Sequence, residues 1–245
     1  MSTQPPILTI EELEHAYGRI SVLEDVSFDI RSGDVTAIIG PNGSGKTTLI
    51  RGLIGLHDPT AGTVAYHGPD AVRPIGYLPQ RPAFRSGQSV REAIAFYASL
   101  VGETESEAVA RLEQVGLGDA TDRNVEALSG GMTRLLGIAQ ATVGDPPLVV
   151  LDEPASGLDP EMSVRIFDVA EELAADGAAI LLSSHDLALV ERTADQVVLL
   201  DDGTIAGLGS PARLRAETGG DTLLEAFEAM VSGDAGTVRV QGVST

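Results

Sequence analysis

Lys46 is the only lysine in the 245-residue chain, and it lies in Gly40-Pro41-Asn42-Gly43-Ser44-Gly45-Lys46-Thr47-Thr48; the other fifteen basic residues are arginine. The spacing G-x-x-x-x-G-K-T is that of a phosphate-binding loop. Glycines allow close backbone approach, so successive N–H groups and a helix N-terminus can wrap the β- and γ-phosphates of a nucleotide. Lys46 adds a point charge beside them, and the Thr47 hydroxyl can ligate Mg²⁺. By itself the loop says only that nucleotide phosphates bind.

Two further stretches bear related chemistry. In Leu148-Val149-Val150-Leu151-Asp152-Glu153-Pro154 an apolar run ends in two adjacent carboxylates. Asp152 would stand at the mouth of a buried strand and hold Mg²⁺ directly or through water, while Glu153 polarises an attacking water as general base. Mg²⁺ stabilises the ionised form of the nearer acid, so the two neighbours can keep distinct tasks. Taken alone in so acidic a chain, a strand ending in a solvated turn is the better account. Leu128-Ser129-Gly130-Gly131-Met132 precedes a helical run, Arg134–Gln140. Ser129 is its expected N-cap, and the two glycines leave the first N–H groups bare, a second anion site.

With this third stretch the sequence resembles the nucleotide-binding subunits of ABC transporters, whose signature is LSGGQ. The resemblance spans about residues 7–210 and keeps every motif in family order. It implies that Tyr17, in Glu14-His15-Ala16-Tyr17-Gly18, stacks on adenine. Gln80, in Gly76-Tyr77-Leu78-Pro79-Gln80, would sense Mg²⁺ with Thr47 and Asp152 and couple to a helical subdomain. Ser156-Gly157-Leu158-Asp159 matches the D-loop, and His185, in Ser183-Ser184-His185-Asp186, matches the switch histidine near the γ-phosphate. Singly, each has an ordinary explanation: a packing tyrosine, a loop glutamine, a helix-capping aspartate, a hydrogen-bonded histidine. All of these pieces together, in one order, do not. Met132 departs from the usual signature glutamine and Ala155 from a common threonine; neither removes a group that phosphate chemistry needs, and Glu153 predicts a hydrolytically competent site.

The resemblance implies an α/β P-loop NTPase with a RecA-like core sheet, an antiparallel β subdomain and an inserted helical signature subdomain. It also implies partners. Two cassettes, in a homo- or heterodimer, would sandwich two ATP molecules, each phosphate loop completed by the signature Ser129, Gly130 and Gly131 of the other subunit, and Asp159 of the D-loop is also expected at the nucleotide. Gln80 and the segment 81–85 would pass the motion to a separate transmembrane permease, holding the chain on the cytoplasmic face of the membrane. Met132 and Thr222–Phe227 look more like exporter ATPases of the drug-resistance or nitrous-oxide-reductase-maturation kind; a metal or small-nutrient importer is the alternative.

The elements that must position these residues are legible in the hydrophobic pattern. Val26–Ile30 alternates as a half-buried strand, and Val35–Ile39 is a buried strand feeding the glycine loop. Leu49, Ile50, Leu53, Ile54 and Leu56 mark one face of the helix that follows. Ser89-x-x-Glu92 and Thr104-x-x-Glu107 are capping boxes opening helices that end near Val101 and at Gly116, within a helical insert over about residues 85–140. Asp159-Pro160 starts a helix ending at Gly177. Strands are expected at Ala179–Ser183 and Gln196–Leu200, with a hairpin at Asp202-Gly203. Ser210 and Asp221 cap two short helices at about 210–231. The expectation is a single domain over 1–232 and a loose tail over 233–245.

Composition bounds the partners. Net charge is −20, from 36 acidic and 16 basic residues, with 43% hydrophobic residues and no cysteine. Disulfides, Cys-based zinc sites and cysteine nucleophiles are excluded. No apolar stretch approaches the ~18 residues of a membrane span, and no signal peptide is expected at the start. Binding to nucleic acid is disfavoured by charge. A chromosome-maintenance ATPase would need a coiled coil between the loop and the signature, yet 83 positions separate Lys46 from Ser129. A simple P-loop kinase leaves the signature and His185 unexplained. The acidity and the near-absence of lysine fit a protein from a salt-loving organism, since the Debye length falls from ~10 Å at 0.1 M to ~3 Å at 1 M salt; an ordinary acidic protein of a GC-rich genome is the alternative.

Overall fold

Residues 5–231 are described by the computed structural model; the tail at 233–245 lies outside the described residues. In chain order the elements begin with β1 (Pro6–Tyr17), β2 (Ile20–Arg31), β3 (Val35–Ile39), α1 (Lys46–Leu53), β4 (Ala61–Tyr66) and β5 (Ile75–Leu78). Three helices follow: α2 (Val90–Val101), α3 (Glu105–Gln114) and α4 (Gly130–Thr142). The chain continues through β6 (Leu148–Leu151), α5 (Pro160–Ala175), β7 (Ala179–Ser183) and α6 (Leu187–Thr193). It closes with β8 (Gln196–Asp201), β9 (Thr204–Gly209), α7 (Pro211–Thr218) and α8 (Leu223–Val231).

β3, β6 and β7 are buried at every position, as continuous apolar runs require when both faces of a parallel sheet are covered. They form the middle of a six-stranded sheet ordered β5-β6-β7-β3-β8-β9. All its pairings are parallel except β8 with β9. Side chains alternate between its faces: Val35, Ala37 and Ile39 join the core under α4 and α5, whereas Ile38 joins the core holding α1 and the antiparallel sheet. That second sheet is β2-β1-β4. This is the α/β architecture expected, with a helical insert between β5 and β6.

Both capping boxes of the insert form, at Ser89 with Glu92 and at Thr104 with Glu107. The insert is pressed closely onto the sheet. A Cβ on Gly76 of β5 would stand 1.9 Å from the Ala141 carbonyl oxygen of α4, so only glycine admits this contact. The approach brings the helix that starts at the signature beside the strand that leads to Gln80.

Two expectations fail locally. α1 ends at Leu53, and Gly55 turns the chain at φ 72°, so Leu56 is 60% exposed rather than part of the buried face. α8 is capped by Thr222, not Asp221. The Thr222 hydroxyl accepts from Glu225 N, the bond of an N-cap three residues before its partner, while the Glu225 carboxylate accepts from Asp221 N, one residue before that cap.

Candidate functional site

Four neighbouring strands of the parallel sheet end on one edge, where open α/β sheets bind ligands. β5 leads to Pro79-Gln80, β6 to Asp152-Glu153, β7 to Ser184-His185 and β3 to Gly40. The folding signal is local in each case, a short apolar run that ends at a polar or glycine residue.

The Gly40–Gly45 loop joins β3 to α1 under tight constraint. A Cβ on Gly40 would lie 2.1 Å from the Leu200 carbonyl oxygen. The N-cap of α1 is Gly45 at φ 103°, and no side chain caps the helix, so the first N–H groups stay available to an anion. Lys46 is only 8% exposed; its Nζ donates to the carbonyls of Gly40 at 2.8 Å and Pro41 at 2.9 Å. Burial holds the ammonium's pKa below the usual lysine range, with the charges of Glu153 and Asp152 pulling it back up. The buried Ser44 hydroxyl has no hydrogen-bond partner. An open helix end, a buried cation and an orphaned hydroxyl together suit a phosphate group.

A cleft of about 230 Å³ opens over this loop. Asn42, Gly43, Gly45, Lys46, Thr47 and Thr48 line one side; Gln80, Glu153 and His185 reach it from the other strand ends, with Val22 of β2 at the rim. Asp152 lies beneath, 2% exposed. Its Oδ1 accepts a 2.8 Å hydrogen bond from Ser183 Oγ, which itself accepts one at 2.9 Å from Glu153 N. Glu153 stands at φ 49°, strained for a non-glycine residue. Its Oε1 lies 2.8 Å from His185 Nε2. Burial raises the Glu153 carboxyl above the ordinary carboxylate range, while the His185 and Lys46 charges oppose the rise. A desolvated carboxylate beside a water-accessible cleft is a stronger base than a surface one. The Thr47 hydroxyl, the Gln80 amide and the Asp152 carboxylate are oxygen donors of the kind that could hold a hard cation such as Mg²⁺.

Other predicted residues stand apart from this cleft. Tyr17, at the end of β1, is 47% exposed and edge-on to His15 and His57, with ring centroids 4.8 Å and 6.0 Å away. Ser129 is the N-cap of α4, its hydroxyl accepting from Met132 N, and Gly130 and Gly131 form the first turn. Asp159 caps α5 by accepting from Met162 N. None of Tyr17, Ser129, Gly130, Gly131 or Asp159 lines the cleft. Two contacts carried no role in the sequence. Arg134 of α4 donates to the carbonyl oxygens of Pro79 and Gln80, tying the signature helix to the Gln80 loop. Ser183 joins both acids; its only sequence signal is a hydroxyl closing an otherwise apolar strand.

Comparison with known proteins agrees with this geometry. The ABC transporter family model matches residues 23–156. The ABC transporter ATP-binding protein YxlF of Bacillus subtilis is 37% identical over 217 residues, covering 86% of this chain and 73% of that one. The Nod factor export ATP-binding protein I of Ralstonia nicotianae is 34% identical over 233 residues, covering 91% and 73%. A solved structure of the ATP-binding subunit of an ABC transporter superposes with a TM-score of 0.81 at 32% identity, covering 91% of this chain and 99% of that one. The chain belongs to the ABC transporter family, as an ATP-binding and ATP-hydrolysing subunit that works on a membrane permease.

Proposed function

We propose that the cleft holds the phosphates of ATP against the Gly40–Thr48 loop, with Lys46 as the compensating charge. The observation that carries this reading is the convergence of Lys46, Thr47, Gln80, Glu153 and His185, from distant parts of the sequence, on one cleft. Thr47, Gln80 and Asp152 would hold Mg²⁺, whose charge offsets that building on the phosphate oxygens during transfer. Glu153 takes the proton of the attacking water, and His185 fixes the carboxylate that does so. Tyr17 supplies the adenine contact from outside the cleft.

Ser129, Gly130, Gly131 and Asp159 serve the nucleotide of a second copy or a paralogous subunit, which accounts for their distance from their own cleft. Among the described residues no helix is long and apolar enough to cross a membrane. In this reading the chain works on a membrane permease as its partner and is held at the cytoplasmic face of the membrane through it. Gln80 and the segment 81–85 receive that partner, with Phe84 stacked edge-on against Tyr97 of α2 at 6.5 Å. The direction is export, supported by the resemblance to a Nod factor exporter, and the acidic surface belongs to a salt-rich setting. The test is phosphate release from Mg·ATP by the purified chain, then ATP-driven transport with its permease in vesicles of known orientation. A chain that binds ATP without hydrolysing it, with or without permease, overturns the hydrolytic reading; uptake into the cell-equivalent compartment overturns export.

A further inference from the structure

We propose that Ser183 is a positioning residue for hydrolysis, its single hydroxyl setting the Asp152 carboxylate and the Glu153 peptide together. This rests on the roles assigned above to those two acids. Ser183 ends β7 and is completely buried. β7 lies between β6, which carries the acids, and β3, which carries the phosphate loop. A hydroxyl has one proton, and here it is committed to Asp152 Oδ1 at 2.8 Å. Its oxygen lone pair is then the acceptor for Glu153 N at 2.9 Å. The donation occupies Oδ1 and leaves Asp152 Oδ2 without a hydrogen bond to any described residue, so one oxygen is anchored and the other is kept for a cation.

The acceptance matters for a different reason. Glu153 sits at φ 49°, a conformation that an L side chain keeps only under constraint. Ser183 constrains its N–H, and its carbonyl accepts from Ser156 N at 3.2 Å. The carboxylate is held in turn by His185, two residues beyond Ser183. The end of β7 therefore fixes Glu153 at both its peptide and its side chain. A buried serine that merely satisfied a strand end would contact the backbone alone; this one divides its hydroxyl between the two acids of the site.

The test uses Ser183→Ala, Ser183→Thr and Ser183→Cys in the full-length chain. Expected for Ser183→Ala is a fall in kcat of about 10–100-fold, with KM for ATP within about twofold, and an affinity for Mn²⁺ (read by electron paramagnetic resonance in the presence of ATP) weaker by about tenfold. Metal-free ATP binding stays unchanged, and Ser183→Thr, which keeps the hydroxyl, restores both losses. Thermal melts establish that the variants are folded; if the alanine variant is not, Ser183→Cys keeps the size with a weak donor and must show the same losses. Wild-type kcat and Mn²⁺ affinity in a hydroxyl-free variant overturn the proposal, as does a threonine variant as impaired as alanine. Asp152→Asn is titrated alongside. If it leaves Mn²⁺ binding intact, the metal role of Asp152 is what fails; if it weakens binding while Ser183→Ala does not, the role of Ser183 alone fails.

Discussion

Glu153 Oε1 and His185 Nε2 meet at 2.8 Å across the ends of two adjacent strands, β6 and β7. The carboxylate side of the pair is 9% exposed and the imidazole side 50%. The carboxylate is thus shielded from bulk water while the imidazole faces solvent. Burial raises the pKa of Glu153, which strengthens it as a base, and the His185 contact holds the carboxylate in one orientation.

Glu153→Gln keeps the size and the hydrogen-bonding capacity but cannot take a proton. Turnover should fall by about 10²–10⁴-fold, the usual worth of a positioned general base, with ATP affinity retained. Bound ATP would then persist and hold two subunits together. Gel filtration should show a dimer that needs ATP and disappears with ADP. Normal turnover in this variant removes Glu153 from the base role.

Lys46 donates to the carbonyls of its own loop, Gly40 and Pro41, so it is already curled into the position a phosphate would share. Lys46→Ala should lower ATP affinity by about 100-fold or more, the scale of a lost charged hydrogen bond in a site built around it. Lys46→Arg should not rescue it, because a planar guanidinium has a different reach from a compact ammonium. Equilibrium binding of a fluorescent ATP analogue measures both, and undiminished affinity in the alanine variant ends the phosphate assignment.

How legible the site was depended on whether its determinants are local. β3, β6 and β7 are continuous apolar runs because both their faces are buried, and the residues at their ends follow in the sequence. β1 hides its nature. Leu8 and Ile10 are buried, then a bulge at Glu12, with φ 48°, resets the alternation so that Leu13 and His15 face inward. A two-residue period read across that break is lost. The capping boxes of α2 and α3 are three-residue patterns and were visible; the partners of Ser183 lie thirty and thirty-one positions away and were not. The link from Arg134 to the Gln80 loop depends likewise on α4 packing on β5, which no linear pattern expresses.

Asp34 offers a pH-dependent prediction remote from the cleft. Burial raises its pKa first, the neighbouring Asp195 charge second, and Arg31 partly offsets them. A carboxyl that holds its proton more tightly when folded favours the fold while protonated. That contribution is complete below the unfolded value of about 3.9 and is lost as pH rises through the higher folded value. At pH 7 the ionised Asp34 is therefore a cost. Asp34→Asn should raise Tm at pH 7 by about 1–3 °C, modest because the site is only partly buried, and the gain should vanish below about pH 4. A lower Tm at pH 7, or a gain independent of pH, contradicts this sign.

Salt should stabilise the whole molecule. Carboxylates outnumber cations so far that single arginines are shared: Arg111 by Glu103 and Asp145, Arg192 by Asp168 and Glu171, Arg91 by Glu105 and Asp122. Each such cluster keeps a net negative charge, within a total of −20. Salt weakens attraction and repulsion alike, but with this imbalance repulsion is the larger sum, so screening favours the compact state. Raising KCl from about 10 mM to about 2 M, where the Debye length shrinks well below ~10 Å, should raise Tm by several degrees or more. Most of the gain should come before about 1 M if screening is the cause, because the Debye length is already ~3 Å there. Circular dichroism melts across the series decide it: a flat or falling Tm rejects the salt-rich setting and leaves an ordinary acidic surface.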